Sequence, residues 1–213
     1  MPEKADVERT GKIIKILKKH YSGARIALDF NGPFELLIAT VLSAQCTDER
    51  VNIVTKGLFK KYKKPSDYVN ADQGELEEDI RSTGFFRQKA RNIRAACRMI
   101  EDDFGGKLPD SMEDMTRLPG VARKTANIVL GNGMGIISGI AVDTHVKRLS
   151  ERLGLSKQSQ QDKIEADLME LVAKKDWLQF SHLLQAHGRT LCKARKPNCP
   201  DCPLSKLCPS STV

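Results

Sequence analysis

Nowhere does this chain hold an apolar run approaching the ~20 residues that a bilayer-spanning helix needs, and its N-terminus, MPEKADVERTGK, lacks the apolar core of a signal peptide. No membrane partner is expected, and the expected location is cytoplasmic. No stretch of alternating apolar and polar residues is long enough to mark a strand. Internal repeats and low-complexity linkers are absent too. Acidic residues fall short of basic ones, 27 against 35, which leaves a formal charge of +8 and a pI near 9.2. Such a surplus suits an anionic partner such as nucleic acid, or simply a well-solvated basic surface. Cysteine is scarce until the end. Cys46 and Cys97 stand singly among apolar residues of predicted helices, where a buried inert thiol is the default, and the other four fall in the last 22 residues. In a cytoplasmic chain that clustering points to metal or redox chemistry rather than a disulfide framework.

What the chain does have is period-3.6 patterning almost throughout, and 213 residues at 40% hydrophobic are enough to bury a core, so the fold class is all-α. Ile13, Ile16, Leu17 and Tyr21 make one helix face. PFELLIATVLSAQ, residues 33–45, opens on Pro33 and is apolar nearly all round, which predicts a buried central helix. Thr47 is placed to cap the next helix, with Val51, Val54 and Leu58 inward. Asp72 and Glu75 have capping-box spacing ahead of Leu76 and Ile80, and Gly84 stops that helix. Another begins near Arg87, turns Ala90, Ile93 and Ile100 inward, and ends at Gly105-Gly106. Ser111 caps a short helix that meets LPGVARKTANIVL, residues 118–130, so the local order is helix, Leu-Pro-Gly turn, helix. In AVDTHVKRLSERLGL, Asp143 sits at an N-cap position with Val142, Val146, Leu149 and Leu153 on one face. Two more helices follow, around 164–172 and 180–187.

Three constellations carry chemistry. The first is the hairpin, where turn amides followed by a helix N-terminus make an anion site with Arg123 and Lys124 adding charge; an ordinary tight turn is the plain alternative. A phosphate-binding P-loop ending at Lys124-Thr125 is excluded, because the glycines it needs are replaced by Leu118 and Arg123. The second is Lys124 with Asp143, nineteen residues apart and each at a helix start. Cations gather at helix C-termini, so a lysine at the positive end is out of place, and deprotonation to a nucleophilic, Schiff-base-forming amine is one reason to put it there. A carboxylate at Asp143 can stabilise a developing cation, serve as a cap, or both. The third is CKARKPNCPDCPLSKLC, with spacing C-x6-C-x2-C-x5-C over 17 residues. Cys192, Cys199, Cys202 and Cys208 suit one four-thiolate centre, zinc or iron–sulfur, and Lys193, Arg195 and Lys196 place positive charge in its first loop.

Taken in order, LLIATVLSAQCTD, LPGVARKTA, VDTH and the four-cysteine spacing resemble the endonuclease III family of DNA glycosylases, across most of the chain. The resemblance implies a two-lobed helix-hairpin-helix fold, with one domain over 26–136 and a second made of 1–25 plus 137–213. It implies that the four cysteines hold a [4Fe–4S] cluster. It implies Lys124 as nucleophile and Asp143 as catalytic carboxylate, in a bifunctional enzyme that removes oxidised pyrimidines from duplex DNA and cuts 3′ to the abasic site by β-elimination. Gln45 matches the residue that fills the gap left by the flipped base, and Phe85 falls where an apolar wedge enters the stack, although Phe85 and Phe86 are also candidates for core. DNA contacts are further expected from the hairpin residues Leu118, Gly120, Ala122 and Arg123 and from Lys193, Arg195 and Lys196. His145, two residues after Asp143, matches near the pocket with no assigned role.

One departure is the alanine at 122, where the family has a second hairpin glycine. If that position needs positive φ or close approach of a phosphate, alanine carries a cost. The expected partner is damaged double-stranded DNA, the expected state a monomer associated with the nucleoid. Two alternatives stay open: a thymine glycosylase acting on G·T mismatches, and a noncatalytic helix-hairpin-helix module, which would need neither Lys124 nor Asp143.

Overall fold

The computed structural model describes residues 3–213, and its chain divides into two compact units, Ala27–Ser138 and Met1–Ile26 with Gly139–Val213. Among the described residues eleven α-helices follow in order: α1 (Lys4–His20), α2 (Pro33–Leu42), α3 (Asp48–Lys61), α4 (Pro65–Asn70), α5 (Gln73–Asp79), α6 (Phe86–Phe104), α7 (Met112–Arg117), α8 (Arg123–Ile128), α9 (Thr144–Arg152), α10 (Gln161–Leu171) and α11 (Trp177–Thr190). No strand occurs among the described residues. The all-α expectation holds.

Helix starts follow the capping residues. Thr47 accepts from the Arg50 amide at 3.3 Å, Asp72 from Glu75 at 2.9 Å, Ser111 from Asp114 at 3.1 Å and Asp143 from Val146 at 2.8 Å, so four polar side chains each satisfy an amide that a helix start leaves unpaired. Two elements depart from expectation. Helix α2 stops at Leu42 rather than running to Gln45, because the bonding tightens from Ala44 to Val41 and Cys46 to Ser43, and Gln45 turns left-handed at φ 54°. Helix α4 was not expected; its six residues are too few to show a period, and it is started by Pro65 with Asp67 Oδ2 accepting from the amides of Lys63 and Lys64.

In the unit Ala27–Ser138, α2 is the core element, with every residue from Leu36 to Leu42 buried. Ala90, Ile93 and Ile100 of α6 are buried with it, and Tyr68 of α4 stacks on Tyr62 and meets Phe34 edge-on. The other unit gathers Ile13 and Leu17 of α1, Val146 and Leu149 of α9, Ile164 and Leu168 of α10, and Phe180, Leu183 and Leu184 of α11 into one core. Leu204 of the cysteine tail is part of that core, which anchors the tail.

The hairpin between α7 and α8 is a β-turn closed by Val121 N–H to the Leu118 carbonyl at 3.0 Å, with Pro119 and Gly120 at its centre. Gly120 has φ 81°, the value a type II turn demands at its third residue. A Cβ there would also stand 2.8 Å from Asn92 Nδ2 and 2.9 Å from Asn92 Cβ on α6. Ala122 is different. It sits at the N-cap of α8 with φ −89° and ψ 168°, extended backbone open to any residue, so the conformational cost raised for alanine at this position does not arise.

Two predictions follow from packing. Gly120→Ala combines a left-handed alanine with a clash against α6 and should lower unfolding free energy by about 1–3 kcal/mol in urea titration, whereas Ala122→Gly should leave it unchanged or raise it by up to about 1 kcal/mol, since glycine is the better N-cap. Burial pushes His145 and His182 below the ordinary imidazole range and His187 down to about 4. Each is held neutral when folded and takes up a proton more readily when unfolded, so stability present above pH ~6.5 is lost as pH falls below it, by at most about 1.4 kcal/mol per pH unit per histidine. Urea midpoints at pH 7.5, 6.5 and 5.5 check this, and His182→Gln should flatten the slope.

Candidate functional site

In the unit Ala27–Ser138 the reactive group is Lys124, second residue of α8 and half-buried. Its ammonium has no hydrogen bond or ion pair among the described residues, so no carboxylate neutralises it there. Arg123 beside it is also half-buried. Leu118 is 1% exposed, its side chain locked in the core, and its carbonyl closes the turn with Val121 while its amide donates to Met115. Gly120 and Ala122 are exposed.

Backbone strain singles out three further positions. Among the described residues the non-glycine positions with positive φ are Gln45 (54°), Phe85 (49°) and Lys196 (55°), and each such conformation costs of order 1–3 kcal/mol unless its surroundings impose it. All three are residues on which the sequence reading already placed DNA contacts. Phe85 is 65% exposed, which removes it from the core. Phe86 behaves differently, lying half-buried with the guanidinium groups of Arg81 and Arg87 at 5.8 and 5.6 Å from its ring centre.

Sequence reading passed over Lys89. It is 5% exposed, and its Nζ donates to the carbonyls of Leu42 and Thr83, both at 2.8 Å. Burial lowers its pKa, opposed by the nearby Cys46. A signal was there: on α6 a lysine at 89 shares the inward phase of Ile93, Ala96 and Ile100, where an apolar residue belongs.

In the other unit, Asp143 is half-buried at the N-cap of α9, and its charge is felt by His145 and His182, which burial keeps neutral. His145 Nδ1 meets Arg148 Nη2 at 3.3 Å, and the Arg148 group also donates to the carbonyls of Gly188 and Cys192. The Asp143 charge thus acts on two imidazoles whose protonation burial disfavours.

Cys192, Cys199, Cys202 and Cys208 are free thiols lining a single cavity of about 40 Å³. Among the described residues no three histidine, cysteine or acidic side chains close on one metal-ion position. Arg152 Nη1 donates to Cys192 Sγ at 3.3 Å, Cys208 Sγ donates to the Arg152 carbonyl at 3.4 Å, and His187 Nε2 lies 3.6 Å from Cys202 Sγ. Hydrogen bonds from Thr212 draw the Cys199 thiol below its ordinary range, while burial pushes Cys202 and Cys208 up. The Arg152 fork also holds the carbonyls of Lys193 and Ala194 at 2.8 and 2.9 Å, leaving Lys193, Arg195 and Lys196 exposed on a loop with a fixed base.

Residues 38–174 match the family of HhH-GPD superfamily base excision DNA repair proteins. The chain is 54% identical to endonuclease III of Synechocystis sp., over 96% of this chain and 93% of that protein. A solved non-covalent endonuclease III–DNA complex superposes with a TM-score of 0.92 at 43% identity, covering 99% of this chain and 97% of that one. A trapped endonuclease III–DNA covalent intermediate gives the same TM-score and identity over 99% and 98%. On these matches the chain belongs to the endonuclease III family of the HhH-GPD superfamily.

Proposed function

We propose that this protein is a base-excision DNA glycosylase with abasic-site lyase activity, taking oxidised pyrimidines from duplex DNA. The observation that carries the reading is Lys124: a half-buried amine without a neutralising partner among the described residues, following a Pro-Gly hairpin, in a chain so similar to one trapped as a covalent DNA intermediate. The hairpin amides of Gly120 and Ala122, with Arg123, hold backbone phosphate. Lys193, Arg195 and Lys196 add contacts that position rather than specify. The protein works as a monomer on nucleoid DNA.

The target base is first turned out of the duplex, a step that costs a few kcal/mol and least for a damaged base. Phe85 enters the stack and Gln45 fills the vacated space. As the C1′–N bond breaks, its electron pair leaves with the base, which takes up the proton that Lys124 gives up, and the neutral Nζ bonds to C1′. Ionised Asp143 offsets the positive charge that develops on the sugar and assists proton transfer. Loss of the amine's protons and opening of the ring, whose oxygen is protonated, give the Schiff base. Removal of a C2′ proton then expels the 3′ phosphate oxygen, cutting the strand 3′ to the lesion.

Cys192, Cys199, Cys202 and Cys208 hold a [4Fe–4S] cluster. The donor set fits in its chemistry: four free thiols, each among the residues lining one cavity of about 40 Å³, are the ligand type and number such a cluster takes. When bound, the cluster supplies iron–thiolate bonds that knot the tail below the basic loop.

Two experiments test this reading. Borohydride added to enzyme on thymine glycol duplex or on abasic duplex should trap a covalent adduct with both, and Lys124→Ala should abolish it. Asp143→Asn keeps an equally good N-cap, so its stability should change by less than about 0.5 kcal/mol while single-turnover excision falls about 10²- to 10³-fold. Trapping on the abasic duplex alone would keep the lyase and move the search to another base; no adduct on either would leave a DNA-binding protein. For the tail, the purified protein should be brown, carry iron and acid-labile sulfide in equal amounts, and lose both in Cys202→Ser. Stoichiometric zinc in a colourless protein would reject the cluster.

A further inference from the structure

Two strained loop positions, Gln45 and Phe85, lie far apart in sequence, and the segments leading into them are held by one buried amine. Gln45 follows three residues after Leu42, the last residue of α2, and Phe85 follows two after Thr83, the last residue of the 3₁₀ turn Arg81–Thr83. Lys89 Nζ donates to both of those terminal carbonyls at 2.8 Å. Its own amide donates to the Phe85 carbonyl at 3.0 Å, so one residue holds the chain on both sides of the exposed phenyl ring.

Packing alone does not ask for this amine. Methionine has nearly the same length and would fill the space without the cost of burying a cation, which here has no carboxylate beside it. The site also lies in the first turn of α6, where positive charge is disfavoured. What the ammonium adds is a single compact point with three donors, able to serve two carbonyls from separate elements.

We propose that Lys89 is a positioning residue for base extrusion, tying the end of α2 to the turn before α6 so that Gln45 and Phe85 enter the duplex as one rigid pair. The proposal rests on the reading that these two side chains fill and wedge the base stack. Lys89 touches neither DNA nor the reacting atoms in this scheme. Its loss therefore harms excision, which needs the base turned out, and spares Schiff-base formation at a site where the base is already gone.

The test compares wild type, Lys89→Met and Lys89→Arg, each confirmed folded by circular dichroism, on two duplexes. One carries thymine glycol next to 2-aminopurine, whose fluorescence rises on unstacking, and the other a preformed abasic site. Lys89→Met should lower both the fluorescence rise and single-turnover excision by about 10- to 100-fold, the scale of an ångström-level misplacement, and change borohydride trapping on the abasic duplex by less than about 3-fold. On a Phe85→Ala background the same substitution should cost less than about 2-fold more, because two residues acting as a unit are not additive. Lys89→Arg, which restores a cation with several donors, should recover part of the fluorescence rise, and it carries the test if Lys89→Met does not fold. Equal losses on both duplexes, full additivity with Phe85→Ala, or unimpaired excision would overturn the proposal. Wild type that neither excises nor traps would instead sink the glycosylase reading itself.

Discussion

Helices leave their last carbonyls without partners, and in both units such acceptors, with others in the loops just beyond, are taken up by cationic side chains from elsewhere in the chain. Lys89 takes Leu42 and Thr83. Arg9 takes Leu153, Gly154 and Leu207; Arg148 takes Gly188 and Cys192; Arg152 takes Lys193 and Ala194. A hydrogen bond from a charged donor contributes about 1.5–3 kcal/mol net, and an acceptor stripped of it costs a similar amount, so these contacts are costly to lose. They also sit at the ends of helices or in the loops that follow them, which is where loops acquire their direction. The loops that bear Phe85, Gln45, the basic residues and the cysteines are all anchored in this way.

That anchoring accounts for strain that would otherwise be unstable. Left-handed Gln45, Phe85 and Lys196 each oppose a backbone preference worth of order 1–3 kcal/mol. Lys89 flanks two of them and Arg152 grips the two carbonyls before the third with only Arg195 between. A loop fixed at its base can hold a side chain in an unfavourable conformation at its tip, and the tip is the part exposed to a partner.

Much of this was legible in the sequence, and the reasons differ by residue. Thr47, Asp72, Ser111 and Asp143 announced helix starts because capping is local chemistry, decided within three residues. The hairpin was readable because Pro-Gly has few conformations open to it. Helix α4 was not, since six residues carry no period. The end of α2 was misplaced because the apolar pattern continues past Leu42 while the turn is set by backbone bonding. Phe85 and Phe86 look alike in sequence, yet one is exposed and the other lies between two arginines; tertiary neighbours decide that. Lys89 was the deepest omission. A lysine is read as surface by default, and only its phase against Ile93 and Ile100 marked it as inward.

The fate of the cations also revises what net charge means here. A formal +8 suggests a broad positive surface, but Lys89, Arg148 and Arg152 are committed to backbone carbonyls, and Arg117 pairs with Asp103 and Asp114. Those cations are already engaged, whereas Lys193, Arg195 and Lys196 stand exposed on one loop. Counterion release scales with phosphates neutralised, about 0.9 per contact in the salt slope, rather than with formal charge. On the proposed reading, affinity for undamaged duplex therefore follows the cations that reach phosphate rather than the formal charge, and the cations bound to backbone carbonyls serve instead to fix the loops.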